Sequence, residues 1–297
     1  IYDLLTGDVT TDTLSGSYSR PTSAVYGSKL YVPQTNTDDM DIVQLPYTIG
    51  LSCSSSAWSA AAEVAVYGME NLAIAKMADG RHMIAGEKNA GVWYCIRATD
   101  GSYGSCVELQ ADAHSPTLAT LPDGTTICAY VHTATSYIGR KSWMGTAWGS
   151  NTSIELAATR PEFCVTEDYA TLSYILTSTG KAFVLDCSDG TFPTATDTTV
   201  TAVRAQCQIL PDLTYRLTYQ LSTGYLYAAV GASLTSWTAT ALETSGVTDF
   251  SVGILGTGET SILYAKSALL RRVDSSAYAG TNETKLMRAG MGIVSVA

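Results

Sequence analysis

The chain has 297 residues, with 27 acidic side chains against 17 basic ones, a net charge of −10 and a mean hydropathy of +0.10. With 46% hydrophobic and 15% charged residues, it is too apolar for a disordered chain. The acidic balance argues against a general nucleic-acid binder, which needs a basic footprint to meet phosphates. No apolar run reaches the roughly 18 residues that span a bilayer, so no membrane insertion is expected. The chain starts at Ile1 without a basic, then apolar, leader, and reads as a mature product, a fragment or a partial chain. Forty Thr, 18 Tyr and 25 Gly against 7 Lys favour pleated, half-buried strands joined by tight turns.

Taken in order, the chain repeats one pattern: an apolar run, a tight turn and a second apolar run. The copies are Pro21 to Val25 with Lys29 to Val32, Leu72 to Met77 with His82 to Ala85, and Pro116 to Leu121 with Thr126 to His132. Three more follow: Phe163 to Thr166 with Ala170 to Thr177, Ala205 to Leu210 with Thr214 to Leu221, and Phe250 to Leu255 with Thr260 to Ala265. One turn residue from each (Gly27, Gly80, Gly124, Asp168, Asp212 and Gly258) gives intervals of 53, 44, 44, 44 and 46 residues. A third strand follows in most units, as in Val92 to Ala98, Tyr137 to Lys141, Lys181 to Cys187 and Tyr225 to Val230, and then a fourth, as in Cys106 to Gln110 or Ser236 to Leu242. Four short antiparallel strands per about 45 residues is the size of a propeller blade. The reading is all-β: a six-bladed β-propeller of four-stranded blades, one domain over 1–297. The blades fall roughly at 14–60, 70–111, 115–157, 161–200, 204–243 and 249–297, with a strand from either terminus closing the ring. A pair of β-sandwiches would not impose so even an interval, and a β-helix repeats at a shorter one.

Seven cysteines, Cys53, Cys95, Cys106, Cys128, Cys164, Cys187 and Cys207, show no CxxC or His/Cys cluster, so no metal site is expected of them. Most sit in apolar runs and read as buried free thiols. Cys95 and Cys106 lie symmetrically about Asp100-Gly101. If that dipeptide is a hairpin turn, they face each other across the ladder, and a cross-strand disulfide is geometrically open to them.

The run Ser115-Pro116-Thr117-Leu118-Ala119-Thr120-Leu121-Pro122-Asp123-Gly124-Thr125-Thr126 resembles a sialidase-type blade opening, as does Ala75-Lys76-Met77-Ala78-Asp79-Gly80-Arg81. That superfamily carries an Asp box, S-x-D-x-G-x-x-W, between third and fourth strands. Ala98-Thr99-Asp100-Gly101 and Ser188-Asp189-Gly190-Thr191-Phe192 fall there in degenerate form, without the full spacing or the Trp. The resemblance implies a ligand face where first strands begin, at Arg20, Glu70, His114, Arg160, Arg204 and Asp249. It also implies arginines gripping a carboxylate, a Tyr nucleophile with a Glu partner, and an Asp acid/base. Asp39, with Asp38 and Asp41, and Glu162 are the candidates for those carboxylates. The family's Arg-Ile-Pro element is here Arg20-Pro21, one residue short, and its Tyr-Ser opening is His114-Ser115; no Tyr is placed as nucleophile. The alternative for these residues is a structural ring of surface turns and ion pairs.

The Asp38, Asp39 and Asp41 cluster lacks the spacing of a calcium loop and reads as solvated charge. His82, His114 and His132 form no pair at metal spacing. Trp143 and Trp148 read as packing residues, with stacking on sugar as the alternative. Asn151-Thr152-Ser153 and Asn282-Glu283-Thr284 match the glycosylation pattern. Walker, Rossmann, GxSxG, HExxH and blade-closing WD patterns are absent, and no cofactor is expected. The function expected is non-enzymatic recognition of a glycan or protein receptor, or assembly with neighbouring subunits, in an extracellular or virion structure. A sialidase-type glycoside hydrolase is the alternative.

Overall fold

The computed structural model describes residues 18–19, 24–26, 29–36, 42–48, 62–63, 69–99, 102, 104–166, 168–210, 212–254, 260–266, 269–274 and 284–288. Every regular element among them is a strand, and no helix is long and apolar enough to cross a membrane. The strands form six sheets. The first holds β1 (Tyr18–Ser19), β2 (Ala24–Tyr26), β3 (Lys29–Asn36), β4 (Ile42–Thr48) and β5 (Ala62–Glu63). The second holds β6 (Glu70–Lys76), β7 (His82–Lys88), β8 (Gly91–Arg97) and β9 (Val107–Gln110). The third is β10 (Ala113–Thr120), β11 (Thr126–His132), β12 (Ile138–Ser142) and β13 (Thr152–Glu155). The fourth is β14 (Ala158–Val165), β15 (Ala170–Leu176), β16 (Lys181–Asp186) and β17 (Thr196–Thr201). The fifth is β18 (Arg204–Ile209), β19 (Tyr215–Gln220), β20 (Leu226–Ser233) and β21 (Ser236–Glu243). The sixth is β22 (Val247–Ile254), β23 (Thr260–Lys266), β24 (Leu269–Asp274) and β25 (Thr284–Arg288). From the second sheet onward, strands follow one another in chain order across each sheet. The chain divides into two compact units, Ala73–Val247 and Ile1–Leu72 with Thr248–Ala297.

The larger unit explains why its strands read as continuous apolar runs. Along β11, Ile127, Ala129 and Val131 face a core shared with Leu172, Tyr174 and Leu185 of the fourth sheet. Cys128 and Tyr130, on the opposite face, enter a core shared with Met83, Ala85 and Val92 of the second. A third core joins Ile175, Ala182 and Val184 to Cys207, Leu217 and Ala229. Each middle strand is therefore buried on both faces, so its period-2 alternation separates two cores rather than core from water. Every fully buried Leu or Ile there contributes about 1.5–3 kcal/mol.

The turns have a common chemistry. Asp79 Oδ1 accepts the backbone N–H of Arg81 at 3.0 Å, Asp123 Oδ1 that of Thr125 at 2.8 Å, and Asp212 Oδ1 that of Thr214 at 3.0 Å. The residue after each Asp is left-handed: Gly80 (φ 86°), Gly124 (φ 87°) and Leu213 (φ 62°). Asp side chains bonding two residues on, followed by a residue at positive φ, account for the regular Asp/Gly signal.

A second repeat is invisible in composition. In four sheets a residue that opens the first strand, or stands just ahead of it, donates to a turn of the sheet before: Ala113 to Ala90 (3.2 Å), Ala158 to Ser136 (2.8 Å), Ala202, just ahead of β18, to Gly180 (2.8 Å), and Val247 to Gly224 (3.1 Å). All four acceptors are left-handed, at φ 60°, 51°, 67° and 79°, which turns each carbonyl out of its own hairpin.

Of the cysteines, Cys95, Cys106, Cys128, Cys164, Cys187 and Cys207 are free thiols, four of them buried; Cys53 lies outside the described residues. The Trp143 and Trp148 rings pair with each other at 5.5 Å and with Tyr94 at 6.0 and 5.5 Å, edge to face. They lie against the core of the second and third sheets, which is the packing role.

Candidate functional site

Within the larger unit, the first strands β10, β14 and β18 carry the polar residues singled out from sequence. Two of them begin earlier than the apolar runs suggested: β10 starts at Ala113, ahead of Pro116, and β14 at Ala158, ahead of Phe163. The strand passes each proline through a bulge. Ser115 and Pro116 together oppose Tyr130, because His114 pairs with Val131 and Thr117 with Ala129. Arg160 and Pro161 oppose Tyr174 in the same way, between Thr159 paired with Ile175 and Glu162 paired with Ser173. A proline lacks a donor and is tolerated at a bulge, where the ladder is already interrupted.

The residue before each proline is left-handed, Ser115 at φ 52° and Arg160 at φ 53°, as is Asn71 at the corresponding place in β6 at φ 50°. Such a conformation costs a non-glycine residue about 1–2 kcal/mol and persists only where the surroundings impose it. At Ser115 the imposing contact is the Glu87 carboxylate, which accepts the Ser115 backbone N–H at 2.7 Å. His114 Nδ1 stands 3.0 Å from Ser115 Oγ. At Arg160 the result is an exposed guanidinium with no carboxylate partner among the described residues.

Two residues along the same strand, Glu162 is held from the neighbouring sheet. Its Oε1 accepts from Arg204 Nε, and its Oε2 accepts from Arg204 Nη2 at 3.0 Å and from Gln206 Nε2. The pair is mostly buried, with side-chain exposures of 18% for Arg204 and 17% for Glu162. The fork-to-carboxylate geometry is bidentate, the strong form of this interaction. Gln206 is 7% exposed, and its Oε1 is buried without a hydrogen-bond partner. That acceptor must meet water or a donor, since an orphaned buried oxygen is costly.

The structure thus brings Glu162 and Arg204 together and sets Arg160 two residues away, with His114 on the adjacent inner strand. In the smaller unit, Asp249 on β22 accepts the backbone N–H of Phe250 at 2.9 Å, and Glu70 opens β6. Arg20, Asp38, Asp39 and Asp41 lie outside the described residues. Sequence reasoning missed Gln206 and Glu87. Gln206 carried a signal: Arg204, Gln206 and Gln208 alternate with Ala205, Cys207 and Ile209, which puts three polar side chains on one face of an inner strand. Glu87 carried none, because its role is to accept a backbone N–H 28 residues away. Among the described residues no group of three or more His, Cys, Asp or Glu side chains could hold a metal ion.

The architecture matches solved β-propellers. A Hadza microbial sialidase aligns with a TM-score of 0.60 at 12% identity, over 84% of this chain and 64% of that one. A Trypanosoma rangeli sialidase solved with the inhibitor DANA aligns at 0.58 and 8% identity, over 89% of this chain and 56% of that one. The SapL1 lectin solved with α-methyl fucoside aligns at 0.61 and 8% identity, over 93% and 97%. The chain therefore spans between about half and two thirds of the length of these sialidases and nearly all of the lectin. No protein-family model and no curated protein matches the sequence. The class defined by the fold is the all-β propeller of four-stranded antiparallel blades, and six sheets fit six blades.

Proposed function

We propose that this chain is a non-enzymatic recognition module: one six-bladed propeller domain that binds an acidic glycan, or a receptor bearing one, in an extracellular or virion structure. The observation that carries the reading is Arg160. An acidic protein holds this cation at the bulge of β14, in a strained backbone conformation, with no carboxylate neutralising it among the described residues. A guanidinium so presented suits a ligand carboxylate. The saccharides named with the structural neighbours (sialic acid, a fucoside and arabinobiose) support a sugar as the ligand class.

Glu162 argues against catalysis. Three hydrogen bonds from Arg204 and Gln206 hold it as the ionised partner of a mostly buried arginine, which favours a structural ion pair over proton transfer. The sialidase-type hydrolase remains the second reading, favoured by the carboxylate–arginine pair beside Arg160. Glycan-array binding and a fluorogenic sialoside assay separate the two. Retention of acidic over neutral glycans, lost in Arg160→Ala and without turnover, is the expected result. Sialoside turnover that disappears in Glu162→Gln would establish the hydrolase instead. Binding of neutral and acidic glycans alike, unchanged in Arg160→Ala, would remove the arginine-centred site.

A further inference from the structure

We infer that Cys95 and Cys106 form a reversible oxidation site, a dithiol that closes to a cross-strand disulfide and fastens the outer strand of the second sheet. The placement is set by register. Trp93 pairs with Glu108 and Tyr94 with Val107 across β8 and β9, and continuing that register by one residue past the end of β9 sets Cys95 opposite Cys106. Opposed residues in an antiparallel pair carry their side chains on the same face, with Cβ atoms about 4.5–5.5 Å apart, so a small approach of the strand ends reaches the roughly 3.5–4.5 Å a disulfide needs. The two sulfurs lie near enough for each to shift the titration of the other.

The two sulfurs differ in the way an attacking and a resolving thiol differ. Cys95 is 3% exposed, within the core. Cys106 is half-exposed, flanked by the exposed residues Gly104, Ser105 and Val107. The hydrogen bond from Cys95 favours the Cys106 thiolate, against the effect of burial, and the Lys88 ammonium adds to it. The same contact, with burial, pushes the Cys95 thiol up and keeps it protonated. A partly exposed thiol that ionises more readily than usual, beside a buried partner thiol, is the arrangement of a redox-reactive pair. β9 is only four residues long and is the last strand of its sheet, so a covalent link holds an edge otherwise secured by one short ladder. The other described cysteines have no such neighbour at a paired register position.

The oxidant class is a small or protein disulfide, with oxidised glutathione as the probe. The Cys106 thiolate attacks one glutathione sulfur, forming a mixed disulfide and releasing one glutathione thiolate. That bond removes the negative charge opposing Cys95. Cys95 then loses its proton to solvent and attacks the Cys106 sulfur, releasing the second glutathione thiolate. Two protein thiols are oxidised by two electrons, and one glutathione disulfide is reduced to two thiols.

The full chain, reduced and then equilibrated with glutathione redox buffers, is quenched in acid, alkylated and mapped by mass spectrometry. The expected result is one protein disulfide, Cys95–Cys106, reversed by dithiothreitol, with a raised thermal midpoint in the oxidised form. Cys95→Ser should stop at a glutathione adduct on Cys106, while Cys106→Ser should leave Cys95 unmodified. Alkylation of Cys106 should show a pH midpoint below the value of about 8.5 for a free cysteine. Folded wild-type protein that keeps both thiols alkylatable at the most oxidising ratio overturns the inference. So does a disulfide joining any other pair, or adduct formation on Cys95 in place of Cys106. Circular dichroism of each variant separates loss of reactivity from loss of fold.

Discussion

Arg160→Gly should make the protein more stable and bind less well. The backbone at Arg160 has φ 53°, and left-handed placement costs a non-glycine residue about 1–2 kcal/mol. Glycine removes that cost but adds about 0.4–1 kcal/mol of backbone entropy in the unfolded chain, leaving a net gain of up to about 1.6 kcal/mol, centred at about 0.8 kcal/mol. At about 2–4 °C for each kcal/mol, the central gain raises the thermal midpoint by roughly 2–3 °C. Arg160→Ala keeps the strain, and because Arg160 is exposed its stability should stay within about 0.5 kcal/mol of wild type. Both variants lose the guanidinium. A hydrogen bond to a charged group contributes about 1.5–3 kcal/mol, so affinity for an acidic glycan should fall about ten- to hundredfold in each. Leu213→Gly is the control, since Leu213 is 60% exposed and has φ 62° in a hairpin turn; it should gain similar stability and lose no affinity. Urea and thermal unfolding with calorimetric titration read all three. If Arg160→Gly proves no more stable than Arg160→Ala, the strain argument is wrong. If both bind normally, Arg160 does not touch the ligand.

Glu162→Ala leaves Arg204 mostly buried without its carboxylate, and should cost about 3 kcal/mol in chemical denaturation. The Glu162→Ala/Arg204→Ala double variant should lose less than the two single losses added, and strict additivity would show that the pair is not coupled. Gly139→Ala should destabilise by about 1–3 kcal/mol, because a Cβ there would stand 2.8 Å from Asn151 Oδ1 and 2.9 Å from Tyr130; a variant as stable as wild type would mean those side chains move freely. His132 is held below its ordinary value of about 6.5 by burial and then by the Lys141 charge, with Asp112 opposing. The folded state therefore binds that proton more weakly than the unfolded chain. The contribution is complete above pH 6.5 and is lost as pH falls through the folded value. Urea midpoints measured from pH 8 to 5 should fall more steeply in wild type than in His132→Gln, and parallel curves would contradict this.

Much of the fold was legible because its causes are local. Asp79, Asp123 and Asp212 each bond a backbone N–H two residues on, so the turns recur wherever that dipeptide chemistry recurs. The apolar runs between them, such as Thr126 to His132, follow from burial of both strand faces. The repeat needs no knowledge of distant residues. The strand starts read at Pro116 and Phe163 fell late, because a bulge that carries a strand past a proline depends on the partner strand opposite, here Tyr130 and Tyr174.

The candidate site was legible as a set of positions and not as chemistry. His114, Arg160, Arg204 and Glu162 were named from where units begin, and Arg204 with Gln206 follows from alternation along one strand. Which of them pair was beyond the sequence. Glu162 and Arg204 are 42 residues apart and meet only because neighbouring sheets pack side by side, and that contact makes a candidate catalytic carboxylate one half of an ion pair. For Cys95 and Cys106, symmetry about Asp100-Gly101 pointed to the pairing, whereas burial of one thiol and partial exposure of the other came from the packing around them. The sequence by itself determined the periodic elements, the turn chemistry and the acidic, lightly charged surface, since those depend on neighbours a few residues away. Only the tertiary structure decided which charges are neutralised and which remain available, because that depends on distances between strands the chain brings together from far apart.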